Sequence, residues 1–211
     1  MYREGSIPAY IAAACQGTPT PGGGSISAMV AALGTTMATM AGNFTVGREK
    51  FAAAEPEVVR ILADLERTRE ELLKLVDEDV EAYGVVSGAY GMPRKTEEEK
   101  KARRTAIQKA LMTATEAPLR TMRACAVVLK GIARLVDLSN PNLTSDVGVA
   151  AIAVEAGLAG ARLNVEVNLA AMKDAGTVAR IRQEIIDLAC EATALRDQTV
   201  AKVERGTGSH G

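Results

Sequence analysis

The residues from about Ala53 to Tyr90 constrain the fold of this chain most strongly. Over this stretch, side chains suited to a buried face recur at alternating steps of four and three residues, which is the spacing of one face of an α-helix. That face consists of Val58, Leu62, Leu65, Arg69, Leu72, Val76, Asp79, Tyr83 and Val86. The chain contains no run of alternating β-branched residues long enough for a sheet. We therefore predict an all-α fold.

Helical patterns elsewhere bring the total to about six helices. The others run from about Ser6 to Gln16, from after three glycines to about Asn43, from a cap at Thr96 to about Val136 with a kink expected at Pro118, from about Ser145 to Met172, and from a cap at Thr177 through Thr199. Because the connections are short, we predict one up-and-down bundle over residues 1–205. Residues 206–211 are predicted to form a disordered tail.

Charge and hydropathy narrow the possible partners. The net charge of −1 and the isoelectric point near 6.0 argue against nucleic acid and anionic membranes, because both are held by a basic field. No apolar run is long and continuous enough to span a bilayer, and residues 1–10 lack the apolar core of a signal peptide. We expect a cytoplasmic protein with neither partner.

Histidine and cysteine are placed where they favour no metal site. The single histidine, His210, lies in the predicted tail, which argues against histidine catalysis and His-ligated zinc. Cys15, Cys125 and Cys190 are far apart and each falls in an apolar helical pattern. We expect them to be buried, reduced thiols rather than ligands or disulfide partners.

Three consecutive glycines precede the second helix, in the stretch PTPGGGSISA. Pro21, Gly22, Gly23, Gly24 and Ser25 offer bare backbone N–H groups at the positive end of a helix dipole, which suits an anion or a polar ring edge. A tight turn capped by Ser25 explains the same residues equally well. No GK[ST] follows the glycines, so a nucleotide-binding P-loop is poorly supported.

Asp79 is the most informative single residue. It lies on the apolar face of the third helix, and a buried carboxylate is costly unless it is paired or hydrogen-bonded. Arg69 is ten residues away on the same helix, about 15 Å along its axis, so a direct pair with Asp79 is not expected. We favour a functional carboxylate over a structural one.

Polar residues also mark the two ends of the fifth helix. Asp146 falls in its first turn after a cap at Thr144 or Ser145, where stabilisation by the helix dipole is a sufficient explanation. Asn164 and Asn168 are spaced i, i+4 on a face otherwise built for close packing. Their amides suit the edge of a heterocycle, and hydrogen bonding between helices is an equally good explanation.

Five motifs occur together in order: PTPGGGSISA, NFTVGREKF, DEDVEAYGVVSGAYGMP, TEAPL and NPNLTSDVGVAA. With these motifs the chain resembles the cyclodeaminase/cyclohydrolase family. Its members are the cyclodeaminase half of formiminotransferase-cyclodeaminase and free-standing methenyltetrahydrofolate cyclohydrolases. The likeness covers nearly the whole chain apart from the tail.

The resemblance implies an all-helical homodimer that binds a tetrahydrofolate derivative and needs no metal or further cofactor. The positions that match the family as substrate-binding residues are Pro21, Gly22, Gly23, Gly24, Ser25, Asn43 and Asn142. We expect Asn164 of the fifth helix to help orient the substrate as well. Asp79 would be the base, Lys50 would donate a proton or hold the developing oxygen, and Asp146 would share the acid–base work.

Hydrolysis of 5,10-methenyltetrahydrofolate to 10-formyltetrahydrofolate is the reaction we favour. The alternative within the family is cyclodeamination of formiminotetrahydrofolate, which releases ammonia. We favour the cyclohydrolase because no formiminotransferase domain is attached and because residues 89–111 look most like the free-standing enzymes. From a different class, a folate-binding or interaction bundle without catalysis fits the same composition.

Overall fold

The computed structural model describes residues 1–207, and within that range it contains six α-helices and no strand. The helices are α1 (Ile7–Ala14), α2 (Gly23–Asn43), α3 (Glu55–Gly91), α4 (Glu97–Leu138), α5 (Thr144–Ala171) and α6 (Ala175–Thr207). Short 3-10 turns lie at Tyr2–Glu4, Glu49–Phe51 and Pro141–Leu143. The all-α prediction and the number of helices are confirmed.

Small residues bring α2 and α5 into close antiparallel contact. A Cβ added to Gly34 would lie 2.9 Å from the backbone nitrogen of Val154, and one added to Gly157 would lie 2.8 Å from the Cβ of Ala31. Residue numbers rise along α2 as those of the facing α5 residues fall, which makes the pair antiparallel. No ordinary side chain fits at these crossings, so the glycines set the spacing of the two helices.

The apolar face of α3 packs on α2 and α4. Leu65, Leu72 and Val76 are almost completely buried, as the spacing predicts. Thr96 caps α4 and forms a capping box with Glu99, which confirms the predicted start of this helix. α4 is assigned as a single helix from Glu97 to Leu138 with Pro118 inside it.

Two predicted caps and the boundary of the tail are corrected by the structure. α5 begins at Thr144 without a side-chain cap, and the Thr144 hydroxyl instead donates to the carbonyl of Pro141. α6 begins at Ala175, and the Thr177 backbone N–H donates to Asp174, which takes the capping role predicted for Thr177. The helix continues to Thr207, so residues 206 and 207 are helical, while residues 208–211, including His210, lie outside the described range.

Two other expectations are wrong. α2 and the segment Pro141–Ala171 are each long and apolar enough to span a membrane by length and composition, contrary to the prediction from the sequence. The core helix of a soluble protein meets the same criterion, and most of the apolar stretch of α2 is buried inside the bundle. Cys125 is buried as expected, but Cys15 and Cys190 are exposed.

Candidate active site

α2 begins within the glycine run instead of after it. Gly22 is the N-cap residue with extended backbone, and Gly23 and Gly24 form the first turn of the helix. The alternative in which Ser25 caps a tight turn is therefore wrong. Ser25 stands at the third helical position, where its backbone N–H has no partner within the helix and is available to an acceptor.

That acceptor is Asp79 of α3. The Ser25 backbone N–H donates to Oδ2 of Asp79 at 2.9 Å. A Cβ added to Gly24 would meet Oδ1 first and would lie 2.5 Å from Cγ and 2.7 Å from Oδ2. The carboxylate therefore occupies the volume that any side chain at position 24 would need. Bare backbone is required here because α3 places a carboxylate against the start of α2.

Burial and hydrogen bonding act on Asp79 in opposite directions. Removal from water disfavours the charged form and raises the pKa of the Asp79 carboxyl, and the bond from the Ser25 N–H lowers it by a smaller amount. The net pKa lies above the ordinary aspartate range. A carboxylate with a raised pKa is a stronger base than a solvated one, which is the property that a general base requires.

A buried tyrosine, Tyr10, contacts the side chain of Ser25. Tyr10 is 5% exposed, and its hydroxyl is 2.9 Å from the hydroxyl of Ser25, which is completely buried. Burial is the main reason that the pKa of Tyr10 is raised, and the bond to Ser25 opposes it. The ring of Tyr2 meets the Tyr10 ring edge-on, and the Tyr2 backbone N–H donates to Asp77 of α3. The N-terminal segment thus holds the start of α2 in register with α3.

Asp79 opens into a cavity of about 330 Å³ between α2, α3, α4 and α5. On α3 the lining continues from Asp79 at helical spacing through Tyr83, Val86 and Tyr90. Tyr83 and Tyr90 are 43% and 47% exposed, so their rings are accessible to a ligand. Asp79 is the one residue with a formal charge among those that line the cavity. The cavity combines aromatic walls with a single negative charge.

The side of the cavity opposite α3 carries two amides. Asn164 and Asn168 of α5 both line it. The Asn164 amide nitrogen donates to the carbonyl of Gly160 within α5, whereas the Asn168 amide nitrogen donates to the carbonyl of Ala114 on α4. Each amide oxygen remains available as an acceptor. Hydrogen bonding between helices, one of the two explanations considered from the sequence, is confirmed for Asn168, which also lines the cavity.

A protein-family model described as formiminotransferase-cyclodeaminase matches residues 6–187. The chain belongs to this family. It is 36% identical over 199 residues to the methenyltetrahydrofolate cyclohydrolase of Methylorubrum extorquens, covering 94% of this chain and 96% of that one. It is 33% identical to the formimidoyltransferase-cyclodeaminase of Rattus norvegicus, covering 90% of this chain and 35% of the rat protein. The solved structure of formiminotetrahydrofolate cyclodeaminase from Thermotoga maritima superposes with a TM-score of 0.81 at 26% identity, over 99% of this chain and 98% of that chain.

The site residues expected from the sequence divide between two places in this chain. Gly22, Gly23, Asp79 and Asn164 line the cavity. Gly24 and Ser25 contact Asp79 beside it, and Pro21 is buried just before the helix. The other four lie elsewhere, at the far end of α2 and the near end of α5: Asn43, Lys50, Asn142 and Asp146.

Lys50 shows the separation most clearly. It lies in the 3-10 turn Glu49–Phe51, is exposed, and its ammonium group is 5.6 Å from the centre of the Phe51 ring. Asn43 ends α2 in the same region. The Asn140 backbone N–H donates to the Thr45 hydroxyl at 2.9 Å, which ties the segment before α5 to this end of α2. One chain therefore does not bring Lys50 and Asp79 into one cavity.

Three tyrosines in or beside the site were not identified from the sequence as site residues. Tyr83 and Tyr90 share one helical face with Asp79, so the spacing of four, seven and eleven residues from Asp79 to Tyr83, Val86 and Tyr90 was the available signal. Tyr10 gave no comparable signal, because its contact with Ser25 depends on how α1 folds back on α2.

Proposed function

We propose that this protein hydrolyses 5,10-methenyltetrahydrofolate to 10-formyltetrahydrofolate. The observation that carries the proposal is the Asp79 carboxylate, held at the start of α2 and opening into an aromatic cavity where it is the one formally charged lining residue. The methenyl relative from Methylorubrum extorquens, which aligns with this chain almost from end to end, supports the same reaction.

The charge of the substrate explains why a lone carboxylate suits this cavity. The methenyl carbon is part of an amidinium cation that bridges N5 and N10. A cation beside Asp79 lowers the pKa of the carboxyl, so substrate binding favours the ionised form that burial disfavours. The base is then charged when the substrate is bound, and it is paired with the substrate cation.

The reaction needs one base and one proton donor. Asp79 takes a proton from water as the water oxygen bonds to the methenyl carbon. The hydroxyl of the tetrahedral intermediate then loses its proton, the carbon–oxygen double bond forms, and the bond from carbon to N5 breaks as N5 takes up a proton. One proton of the water ends on N5 and the other leaves to solvent, and the formyl group remains on N10. Asp79 can return its proton to N5, whereas Lys50 and Asp146, the further donors expected from the sequence, lie outside this cavity in one chain.

The cavity accommodates the reacting end of the substrate. A volume of about 330 Å³ is near the lower limit for small-molecule sites, so we place the pterin and the bridging ring inside and the glutamate tail outside. Tyr83 and Tyr90 offer ring faces for stacking, and the oxygens of Asn164 and Asn168 accept from the pterin edge.

The test is loss of methenyl absorbance in a buffer that does not catalyse hydrolysis. We expect rapid, protein-dependent loss, and at least about a 100-fold lower rate for Asp79→Asn, which keeps the size of the side chain but removes the base. Gly88→Ala on the same helix, where a Cβ meets nothing within 4 Å, is the matched control and should turn over normally. Near-normal turnover by a folded Asp79→Asn variant would contradict the role of Asp79.

Cyclodeamination is the second candidate, and the rat and Thermotoga maritima relatives support it. There N10 attacks the formimino carbon and ammonia leaves, so the same carboxylate can serve. Ammonia released from 5-formiminotetrahydrofolate, with methenyl absorbance rising instead of falling, would favour this reaction. If neither substrate turns over, a thermal shift with tetrahydrofolate separates a silent folate binder from an interaction bundle, because a ligand of the folded state raises the midpoint.

We also propose that the protein works as a homodimer. α2 contains no Asp, Glu, Lys or Arg, and Ile26 and Leu33 on its outer face are 38% and 54% exposed. The outer face of α5 beside it is also apolar. Together these residues form what we call the α2/α5 face: Ile26, Val30, Leu33, Met37 and Met40 of α2, and Val149, Ile152, Ala156, Leu163 and Val167 of α5. A contiguous apolar face on two neighbouring helices is typical of a subunit interface.

A further inference from the structure

The cavity runs along α3 and reaches the place where α3, α4 and α5 meet. What we call the tyrosine end of the cavity is lined by Tyr90 of α3, Leu111 of α4 and Ala171 of α5. Tyr90 is eleven residues after Asp79 on one helical face, about 16 Å along the axis at 1.5 Å per residue. Gln108 of α4 donates to the Ala171 carbonyl at 3.0 Å, which ties α4 to α5 here. The cavity therefore extends from the carboxylate to a fixed end some distance away.

An arginine of α4 lies over the tyrosine end. The guanidinium carbon of Arg103 is 5.6 Å from the centre of the Tyr90 ring. Its Nε and Nη2 atoms donate to the Tyr90 carbonyl oxygen at 3.3 Å and 3.0 Å. That carbonyl belongs to the last turn of α3, where it has no partner within the helix. The two bonds hold the half-buried guanidinium at the rim of the cavity.

The outer edge of this guanidinium is available to an anion. A guanidinium has five N–H groups, and the bonds to Tyr90 use only those on Nε and one side of Nη2. The remaining edge, between Nη1 and Nη2, matches the two oxygens of a carboxylate. Among residues 1–207 no carboxylate pairs with Arg103, whereas Lys100, three residues earlier, pairs with Glu97 at 2.7 Å.

The charge around Arg103 is opposite in sign to that of the chain as a whole. Residues 94–109 contain seven Lys or Arg and three Glu, although the chain has a net charge of −1. These residues form the turn before α4 and its first turns. The tyrosine end therefore opens into a positive field, whereas Asp79 supplies a negative charge inside the cavity.

We propose that Arg103 binds a carboxylate of the glutamate tail of the folate and thereby sets the orientation of the substrate. The inference rests on the proposed folate chemistry. A benzoyl ring and an amide separate the methenyl carbon from the tail carboxylates, a distance on the order of 10 Å. With that carbon beside Asp79, the tail points along α3 toward Tyr90, and the long Arg103 side chain can span the remainder. The reverse orientation would direct the tail toward Pro19 and Thr20, which are uncharged.

The test compares 5,10-methenyltetrahydrofolate with its diamide, in which both glutamate carboxylates are neutral amides. With wild type, the KM of the acid should be on the order of 10-fold lower than that of the diamide, at similar kcat. In Arg103→Gln the KM of the acid should rise to that of the diamide. Arg103→Lys should recover only part of the preference, because lysine keeps the charge and loses the planar fork. A role limited to holding the end of α3 would instead change both substrates alike.

Two results overturn the proposal and leave the proposed function intact. One is an equal KM of acid and diamide with wild type, a comparison that does not depend on how any variant folds. The other is a folded Arg103→Gln that still prefers the acid about 10-fold. Arg104→Gln removes the same charge at the next, exposed position of α4, so it is the matched control and should keep the wild-type preference. A wild type inactive on both the methenyl and the formimino substrate refutes the proposed function, and the tail site falls with it.

Salt gives a further test with the wild type alone. An ion pair at an open rim is screened by salt, so the preference for the acid over the diamide should shrink between about 0.01 M and 1 M NaCl. The KM of the diamide should change much less, because it lacks the charges that Arg103 would bind. A preference that stays constant over this range would overturn the ion pair with Arg103.

Discussion

The contact between Gly24 and Asp79 leads to the sharpest prediction. In Gly24→Ala the new Cβ would lie 2.5 Å from Cγ and 2.7 Å from Oδ2 of the carboxylate. Because non-bonded carbon atoms pack at about 3.5–4.0 Å, the carboxylate must move by at least about 1 Å. The movement also strains the 2.9 Å bond from the Ser25 N–H. Misplacement of a reacting group by about 1 Å costs on the order of 100-fold in rate.

The expected stability change is smaller than the change in rate. Overpacking costs about 1–3 kcal/mol, and replacing glycine by alanine in a helix returns up to about 1 kcal/mol. We therefore expect Gly24→Ala to fold with a modest loss of stability and to turn over methenyltetrahydrofolate on the order of 100-fold more slowly. Gly84→Ala on α3, where a Cβ meets nothing within 4 Å, should gain stability and keep its rate. Wild-type turnover by Gly24→Ala, with its fold verified by circular dichroism, would refute the position we assign to the catalytic carboxylate.

Three further results are expected. Because burial raises the pKa of Asp79, kcat/KM should begin to fall with acid at a pH above the ordinary aspartate range. The fall in kcat should occur at a lower pH, because the bound cation favours the carboxylate. If both parameters fall together at the usual aspartate pKa, this reasoning is contradicted. The same raised pKa affects stability: the contribution of Asp79 is present below its pKa in the unfolded chain and is lost as pH rises through its pKa in the folded protein. Asp79→Asn should therefore unfold at a higher temperature than wild type at pH 7, but not below about pH 4. Tyr10→Phe leaves the buried Ser25 hydroxyl without its partner and should cost about 1–3 kcal/mol in chemical denaturation, whereas an unchanged free energy of unfolding would show that the bond is dispensable.

The periodic pattern was sufficient to predict the helices, because the spacing of buried residues is a local property of the chain. The face from Val58 to Val76 is buried as its spacing requires, and Asp79 was identified because a carboxylate interrupts an apolar face. The reason for the glycines was not predictable, because it depends on α3 placing Asp79 against Gly24, 55 residues earlier in the chain. The sequence indicates either bare N–H groups for a ligand or a tight turn, whereas Gly24 leaves room for a side chain of the protein itself.

The sequence also does not show that the expected site residues lie in two separate places. Lys50 and Asp79 are 29 residues apart in the chain, and nothing local shows that α2 separates them by its full length. The positions follow only from the antiparallel contact of α2 with α5 and from the fold of α3 onto the start of α2. Residues joined by a family resemblance can therefore lie far apart in one chain.

We expect the carboxylate of Asp79 to activate water against a cationic folate carbon. The most direct measurement is the rate at which wild type and Asp79→Asn remove the absorbance of 5,10-methenyltetrahydrofolate, at matched protein concentration and with both proteins shown to be folded. We predict fast loss with wild type and a rate at least about 100-fold lower with Asp79→Asn. Equal rates for the two proteins would contradict it.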